Sequence, residues 1–280
     1  MQFVRYTLSG IGPEWGVYDD DTVYSLADWP PGSPTLSDIG SEGYRRRVRA
    51  SLDTGALTSI DDASLLAPVA TPGKIVCAGL NYRDHAEEQN EDIPEKPLLF
   101  AKSPTTVTNP GDPIVHPADL EQVDYEVELG VVIGQTATNL EPESVRAHVA
   151  GYTVINDVSG RDAQFDDGQF FRGKSYDTFA PMGPTLVAGD GFEPNAVDVS
   201  CRLNGETKQS SNTAQFIFDV DKLVAYISNA MTLQPGDVIS TGTPGGVGIF
   251  SEPPELMEPG DTVEVEIEGI GVLENPVVAE

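Results

Sequence analysis

Two glutamates spaced two residues apart, Glu126 and Glu128, stand in the run Asp124-Tyr125-Glu126-Val127-Glu128-Leu129, which continues apolar through Val131, Val132 and Ile133. A second β-branched run, Tyr152 to Ile155, is closed by Asn156 and Asp157. On a strand, the period of two puts both glutamates on one face and Val127 and Leu129 on the other. Asp157, at the end of its own strand, can face the same point. Three converging carboxylates repel: one pair at ~4 Å costs about 4 kcal/mol at an effective dielectric of about 20. A hard divalent cation removes that cost, and an all-oxygen shell suits Mg²⁺, Mn²⁺ or Ca²⁺ better than Zn²⁺. The competing reading is a strand face whose charges point at water.

Three further constellations have chemistry in reach. Gly79-Leu80-Asn81-Tyr82-Arg83-Asp84-His85-Ala86-Glu87-Glu88 follows a strand and enters a helix. His85 and Glu88 are then helix neighbours, and a carboxylate beside an imidazole fixes its tautomer and raises its basicity, as a water-activating base requires. Gly173-Lys174-Ser175-Tyr176-Asp177-Thr178 holds one of six lysines; a partly buried ammonium there can hold a carboxylate or an enolate oxygen. Ser240-Thr241-Gly242-Thr243-Pro244-Gly245-Gly246-Val247-Gly248 has the glycines of a phosphate cradle but not the Gly-Lys-Ser/Thr ending of a P-loop. Backbone N–H groups and the Thr243 hydroxyl meeting a ligand, or a structural turn, remain the two readings.

The elements that must position these groups are mostly strands. Residues 1–70 read as a small α+β unit, with strands around Phe3–Leu8 and Trp15–Tyr18 and a helix from Tyr44 to Leu57 bearing Arg45, Arg46, Arg47 and Arg49. Four charges so close cannot share one helix face, which points to a solvated or inter-subunit surface. Ala67-Pro68-Val69-Ala70-Thr71-Pro72-Gly73 marks the boundary, and residues 71–280 read as a second, larger domain that carries all of these constellations. Helices are expected at 84–90, 141–148 and 220–232, the last with Leu223, Val224, Ile227 and Met231 at helical spacing. Asn204-Gly205 signals a hairpin. No regular βαβ alternation occurs, so the expected fold is mainly β with some α: an open β-roll or a barrel-like mixed sheet.

With 280 residues the chain is long enough for a large core, and 39% apolar content with dispersed glycines and prolines excludes a disordered class. The 45 acidic and 16 basic residues give a net charge of −29, a field that disfavours nucleic acid and anionic membrane surfaces. Spread along the chain, that charge suggests a protein of a high-salt organism, where a Debye length of about 3 Å at molar salt screens self-repulsion. Cys77 and Cys201 lie in apolar segments and read as buried thiols in a reducing compartment. The N-terminus lacks a basic patch followed by an apolar run, and no segment approaches 18 apolar residues; a cytoplasmic location is expected.

Taken in order, Gly79–Glu88, Asp124–Leu129, Gly151–Gln164, Arg172–Thr178, Asn204–Thr213 and Gly236–Gly248 resemble the fumarylacetoacetate hydrolase family over about residues 73–278. The resemblance implies a β-roll-type catalytic domain, bound Mg²⁺ or Mn²⁺ (with Ca²⁺ as a substitute) and a homodimer. It implies that Glu126, Glu128 and Asp157 are metal ligands, and that His85 and Glu88 form a catalytic dyad under a short lid helix. Lys174 would orient the substrate, and Gln164, Thr243, Arg83 and Tyr82 would contact it. The implied activity is metal-dependent hydrolysis of a C–C bond in a 2,4-dioxo acid of the acylpyruvate kind, with water activated by the dyad. Oxaloacetate decarboxylation or isomerisation of a 2-hydroxy-dienoate would use the same site without an attacking water, and a non-enzymatic metal-binding scaffold is the third reading. Loops around 86–97, 166–171 and 246–256 are expected to set the substrate's tail.

Overall fold

A computed structural model describes residues 1–30, 32–189 and 191–280 of the chain. The protein is mainly β. Its central strand, Val127–Ile133, is buried at every position, as the almost unbroken apolar run VELGVVI requires of a strand with neighbours on both sides. Val149–Asn156 pairs with it antiparallel on one side and Val238–Ser240 on the other. Beyond Val238–Ser240 come Ile75–Gly79, parallel to it, and then Leu98–Lys102. Beyond Val149–Asn156 come Ala180–Val187, then Gln2–Leu8, Ile11–Asp19, Thr22–Ser25 and Ser59–Ile60. Two short strands off this path complete a 12-stranded sheet. Its path ends at Ser59–Ile60 on one side and Leu98–Lys102 on the other, so among the described strands no closed barrel forms and the open arrangement holds.

A second, five-stranded sheet runs in the order Glu206–Asn212, Asp198–Leu203, Thr262–Ile267, Gly271–Ala279, Ile114–His116. Its first hairpin turns at Asn204-Gly205, where both residues have positive φ (53° and 78°), the backbone a two-residue type I′ turn demands and glycine adopts without penalty. Between the sheets lies a core that includes Leu129, Val131, Val154, Val199, Val265 and Leu273. The opposite face of the large sheet packs a second cluster in which Phe3, Val17 and Val48 meet Ile75, Ile155 and Leu186. Residues 1–70 are thus joined to the rest through one sheet (Phe3 opposite Leu186) and one core.

The helix in the first segment spans Glu42–Asp53 and buries Tyr44 and Val48. Three of its four arginines have local partners: Arg45 donates to the carbonyls of Ile39 and Gly40, Arg47 lies over the Trp29 and Tyr44 rings, and Arg49 reaches Asp19 at 3.1 Å. Val220–Ala230 is capped by Asp219, whose Oδ1 accepts from the Lys222 amide at 2.9 Å, and buries Leu223, Val224 and Ile227. Residues 142–148 wind as a 3₁₀ helix. The helix Arg161–Asp167 and the strand Ala180–Val187 have no counterpart among the sequence expectations. Both cysteines are buried free thiols. No helix of the described residues is long and apolar enough to cross a membrane.

Candidate active and metal site

Register makes the acidic cluster. Val127 lies opposite Asn156 and Glu128 opposite Ile155, so Asp157, one residue past its strand, falls beside Glu126, just ahead of its own. The Asp157 amide donates to the Glu126 carbonyl at 2.9 Å, and the Glu126 amide donates to Asn156 Oδ1 at 3.0 Å. One carboxylate oxygen from each of Glu126, Glu128 and Asp157 lies within 4.8 Å of the other two. All three side chains are buried.

Cations and backbone donors hold this arrangement. Lys174 Nζ donates to Glu126 Oε2 at 2.8 Å and to Asp157 Oδ2 at 2.9 Å, while Lys102 Nζ reaches Asp157 Oδ1 at 2.5 Å. Arg161 bridges Glu126 Oε1 (2.7 Å) and Asp124 Oδ2 (2.8 and 2.9 Å). Among the described residues no cation pairs with Glu128: Ser240 Oγ donates to its Oε2 at 2.5 Å and the Gly242 amide at 2.9 Å. The electrostatics follow. Burial pushes the Glu126 carboxyl up, but Lys174 and Arg161 outweigh it and hold the group down at about 2. Glu128 goes the other way, well above the carboxylate range, through burial and then the charges of Asp157 and Glu126. Burial works against the Lys174 ammonium, yet Asp157 and Glu126 keep its affinity for the proton above the usual lysine value. Lys102, buried beside the same Asp157, is shifted down because burial prevails there.

Four carboxylates, counting Asp124, therefore face three basic side chains, and the shortfall sits at Glu128. An oxygen-only donor set whose third member resists ionisation for want of a counter-charge fits a hard divalent cation. Glu126, Glu128 and Asp157 are the residues that would hold it.

The dyad sits across the same cavity, about 400 Å³ in volume. The helix Arg83–Glu88 follows directly on the Ile75–Gly79 strand through Asn81-Tyr82 and places His85 Nδ1 3.1 Å from Glu88 Oε2. Glu88 is braced by the Gly246 amide, which donates to its Oε1 at 2.8 Å. Gly246 has φ +96°, and a Cβ there would lie 2.3 Å from the Lys208 carbonyl, so only glycine brings that amide in. The glycine-rich loop thus spends its Gly242 and Gly246 N–H groups on the protein's own carboxylates. On its other side the His85 ring meets Gln89, Nε2 to Nε2, at 2.7 Å. The rest of the cavity wall has an apolar part, with Leu98, Phe165 and Phe250 exposed on it. Gln89, Glu91, Phe170, Ile249 and Phe250 come from the three loops expected to shape it.

Of the residues singled out in the sequence, His85, Glu126, Glu128, Gln164, Lys174 and Thr243 line this cavity; Asp157 and Glu88 touch it through their partners. Thr243 Oγ1 accepts from Gln209 Nε2 at 2.8 Å, and Gln209 Oε1 in turn accepts from the Val127 amide. Tyr82 and Arg83 lie elsewhere. Tyr82 is fully buried in the core with its ring edge-on to Phe216, centroids 4.7 Å apart, and Arg83 is exposed on the outer side of its helix. The sequence reading gave no role to Asp124, Arg161, Lys102, Gln209 or Gln89. Lys102, the one charge closing the apolar run Leu98–Ala101, is the only one of these with a local signal.

The cavity, on an open and mainly β fold, carries a buried acidic triad with the oxygen donor set of a divalent-metal site. Residues 74–278 match the family described as Fumarylacetoacetate (FAA) hydrolase C-terminal, and the chain belongs to that family. It is 46% identical over 280 aligned residues to a mitochondrial oxaloacetate tautomerase of Homo sapiens, covering 96% of this chain and 88% of that protein. Among solved structures, it is similar to the fumarylacetoacetate hydrolase of the psychrophile Exiguobacterium antarcticum, with a TM-score of 0.89, 40% identity and full coverage of both chains. It is also similar to the 2-hydroxyhepta-2,4-diene-1,7-dioate isomerase of Mycobacterium marinum, with a TM-score of 0.79, 35% identity, and 100% and 99% coverage.

Proposed function

We propose that this protein interconverts the enol and keto forms of a short 2-oxo acid, with oxaloacetate as the first candidate, in the presence of Mg²⁺ or Mn²⁺. One observation supports the reading above the rest: a tautomer-fixed histidine and a buried triad of carboxylates share one small cavity. The human relative's name and the isomerase neighbour's name lie on the same side. This shifts the emphasis from hydrolysis, the first expectation from sequence, to proton transfer. Glu126, Glu128 and Asp157 would hold the divalent cation, whose contribution when bound would be Lewis-acid polarisation of the 2-oxo group.

The remaining work falls to side chains. His85 Nδ1 donates to Glu88, which leaves Nε2 as the base. Nε2 takes a proton from C3, the C–H electron pair becomes the C2–C3 double bond, and negative charge collects on O2, where the Lys174 ammonium lies close by in the cavity wall. The same proton, returned to O2, gives the enol; the reverse sequence gives the ketone. No water, oxidant or second substrate is consumed.

The decisive experiment follows ketonisation of freshly dissolved enol-oxaloacetate by ultraviolet absorbance, with metal-stripped protein and after adding back Mg²⁺ or Mn²⁺. Acceleration over the buffer rate that EDTA abolishes supports the reading, and a rate equal to buffer plus metal sinks it. A second reading, hydrolysis of an acylpyruvate, is favoured by the likeness to the Exiguobacterium protein; acetate and pyruvate released from acetylpyruvate would establish it.

A further inference from the structure

Both ring nitrogens of His85 are occupied. Glu88 offers Nδ1 only acceptors, so that nitrogen bears the proton and Nε2 keeps its lone pair. Gln89 Nε2, a donor, sits 2.7 Å from that lone pair. The atom that must receive a substrate proton is thus covered by a carboxamide that itself lines the cavity.

The cations of the cavity already hold protein groups, with one Lys174 N–H left for O2. Arg161 is spent on Asp124, Glu126 and Gln164 Oε1 (3.0 Å), and Lys174 on Glu126 and Asp157. The lining side chains that keep a donor for the far end of a ligand include the Thr243 hydroxyl, the Gln164 amide, whose oxygen alone is held by Arg161, and the Gln89 amide; of these, Gln89 is the one seated on the His85 base.

We infer that Gln89 is a positioning residue that couples recognition of a second carboxylate on the substrate to release of the His85 base, which makes short 2-oxo dicarboxylates the substrate class. This rests on the proton-transfer reading given above. A carboxylate is a stronger acceptor than a neutral imidazole, because charge-assisted hydrogen bonds are about twice as strong as neutral ones. When the distal carboxylate of a dioate arrives, the Gln89 amide moves to it and Nε2 is left free to take the C3 proton. A 2-oxo monocarboxylate brings no such acceptor, so Gln89 stays on His85 and the base stays covered.

The test compares oxaloacetate with 2-oxobutanoate in the full-length protein supplied with Mg²⁺. C3–H exchange in D₂O is followed by proton NMR with the uncatalysed rate subtracted, and both dissociation constants are measured by calorimetry. Gln89→Met keeps the length of the side chain and removes the donor; Gln89→Glu keeps the size and repels a distal carboxylate. In both variants the preference for oxaloacetate falls at least tenfold, and in Gln89→Met exchange of 2-oxobutanoate rises. A merely structural role would lower both substrates by one factor; that result, or a preference within twofold of wild type, overturns the inference. The ¹⁵N spectrum of the metal-free protein adds a readout without turnover: His85 shows the Nδ1–H tautomer, and an Nε2–H tautomer overturns the inference as well. Wild-type protein that binds oxaloacetate yet exchanges nothing would instead sink the proton-transfer reading. The Gln89 coupling is then judged on the ratio of dissociation constants and the ¹⁵N spectrum.

Discussion

Replacing Asp124 with alanine tests the site's architecture. Asp124 is fully buried and its two oxygens accept from the Tyr125, Gly248 and Ile249 amides at 2.9–3.0 Å and from Arg161 at 2.8 and 2.9 Å. The substitution leaves Arg161, itself buried, with Glu126 as its one carboxylate, and removes the side-chain acceptor of the loop amides of Gly248 and Ile249. Removing one partner of a buried ion pair costs about 3–5 kcal/mol. For a chain of 280 residues the unfolding entropy is about 0.6 kcal/mol/K, so the melting temperature drops by about 5–8 °C. Calorimetry reads the global effect, and amide hydrogen exchange at Gly248 and Ile249 reads the local one. A melting temperature within about 2 °C of wild type, with both amides still protected, would refute the claim that Asp124 fastens this loop to the acidic strand.

Other outcomes follow from the same geometry. His85→Ala lowers kcat for ketonisation by about 10²–10⁴, the usual share of a general base, while Mn²⁺ affinity measured by calorimetry stays within a few-fold. In metal-free protein the raised Glu128 carboxyl binds its proton more tightly folded than unfolded, so it costs stability as pH climbs from the ordinary carboxylate range towards its folded value. The melting temperature of Glu128→Gln should therefore gain on wild type between pH 5 and pH 8 without metal, and fall behind it when Mn²⁺ is added; parallel curves in a differential scan would count against it. The net charge of −29 predicts a melting temperature several degrees higher in 2 M KCl than in 50 mM KCl, which a thermal scan across that range checks.

The three carboxylates were legible because their cause is local: a two-residue spacing on a β-branched run, and an acid at the end of another. His85 and Glu88 were legible for the same reason, three residues apart on one helical turn. What surrounds them was not, because the partners are distant in sequence and meet only through strand register. Lys102 lies 55 residues from Asp157 and Arg161 37 residues from Asp124, and nothing local in either residue's neighbours announces the pairing. Gln89 is next to Glu88, yet a glutamine at a helix end has too many ordinary uses to stand out. Tyr82, expected to contact the substrate, instead packs its side chain into the core against Phe216. The first segment looked like a separate unit because its boundary is rich in proline and glycine; no periodicity in residues 2–8 tells that their pairing partner begins at residue 180.

That pairing has a consequence for how the protein is made. Phe3 lies opposite Leu186, a separation of 183 residues. At synthesis rates of about 5–20 residues per second, the first strand leaves the ribosome roughly 9–37 s before the one it will dock on. Through that interval the first strand lacks the partner that closes its edge at Gln2 and Phe3, and an unpaired apolar edge invites association with other nascent chains. The acidic residues Glu14, Asp19, Asp20 and Asp21 beside the hairpin that this strand opens supply like-charge repulsion between neighbouring chains during the wait.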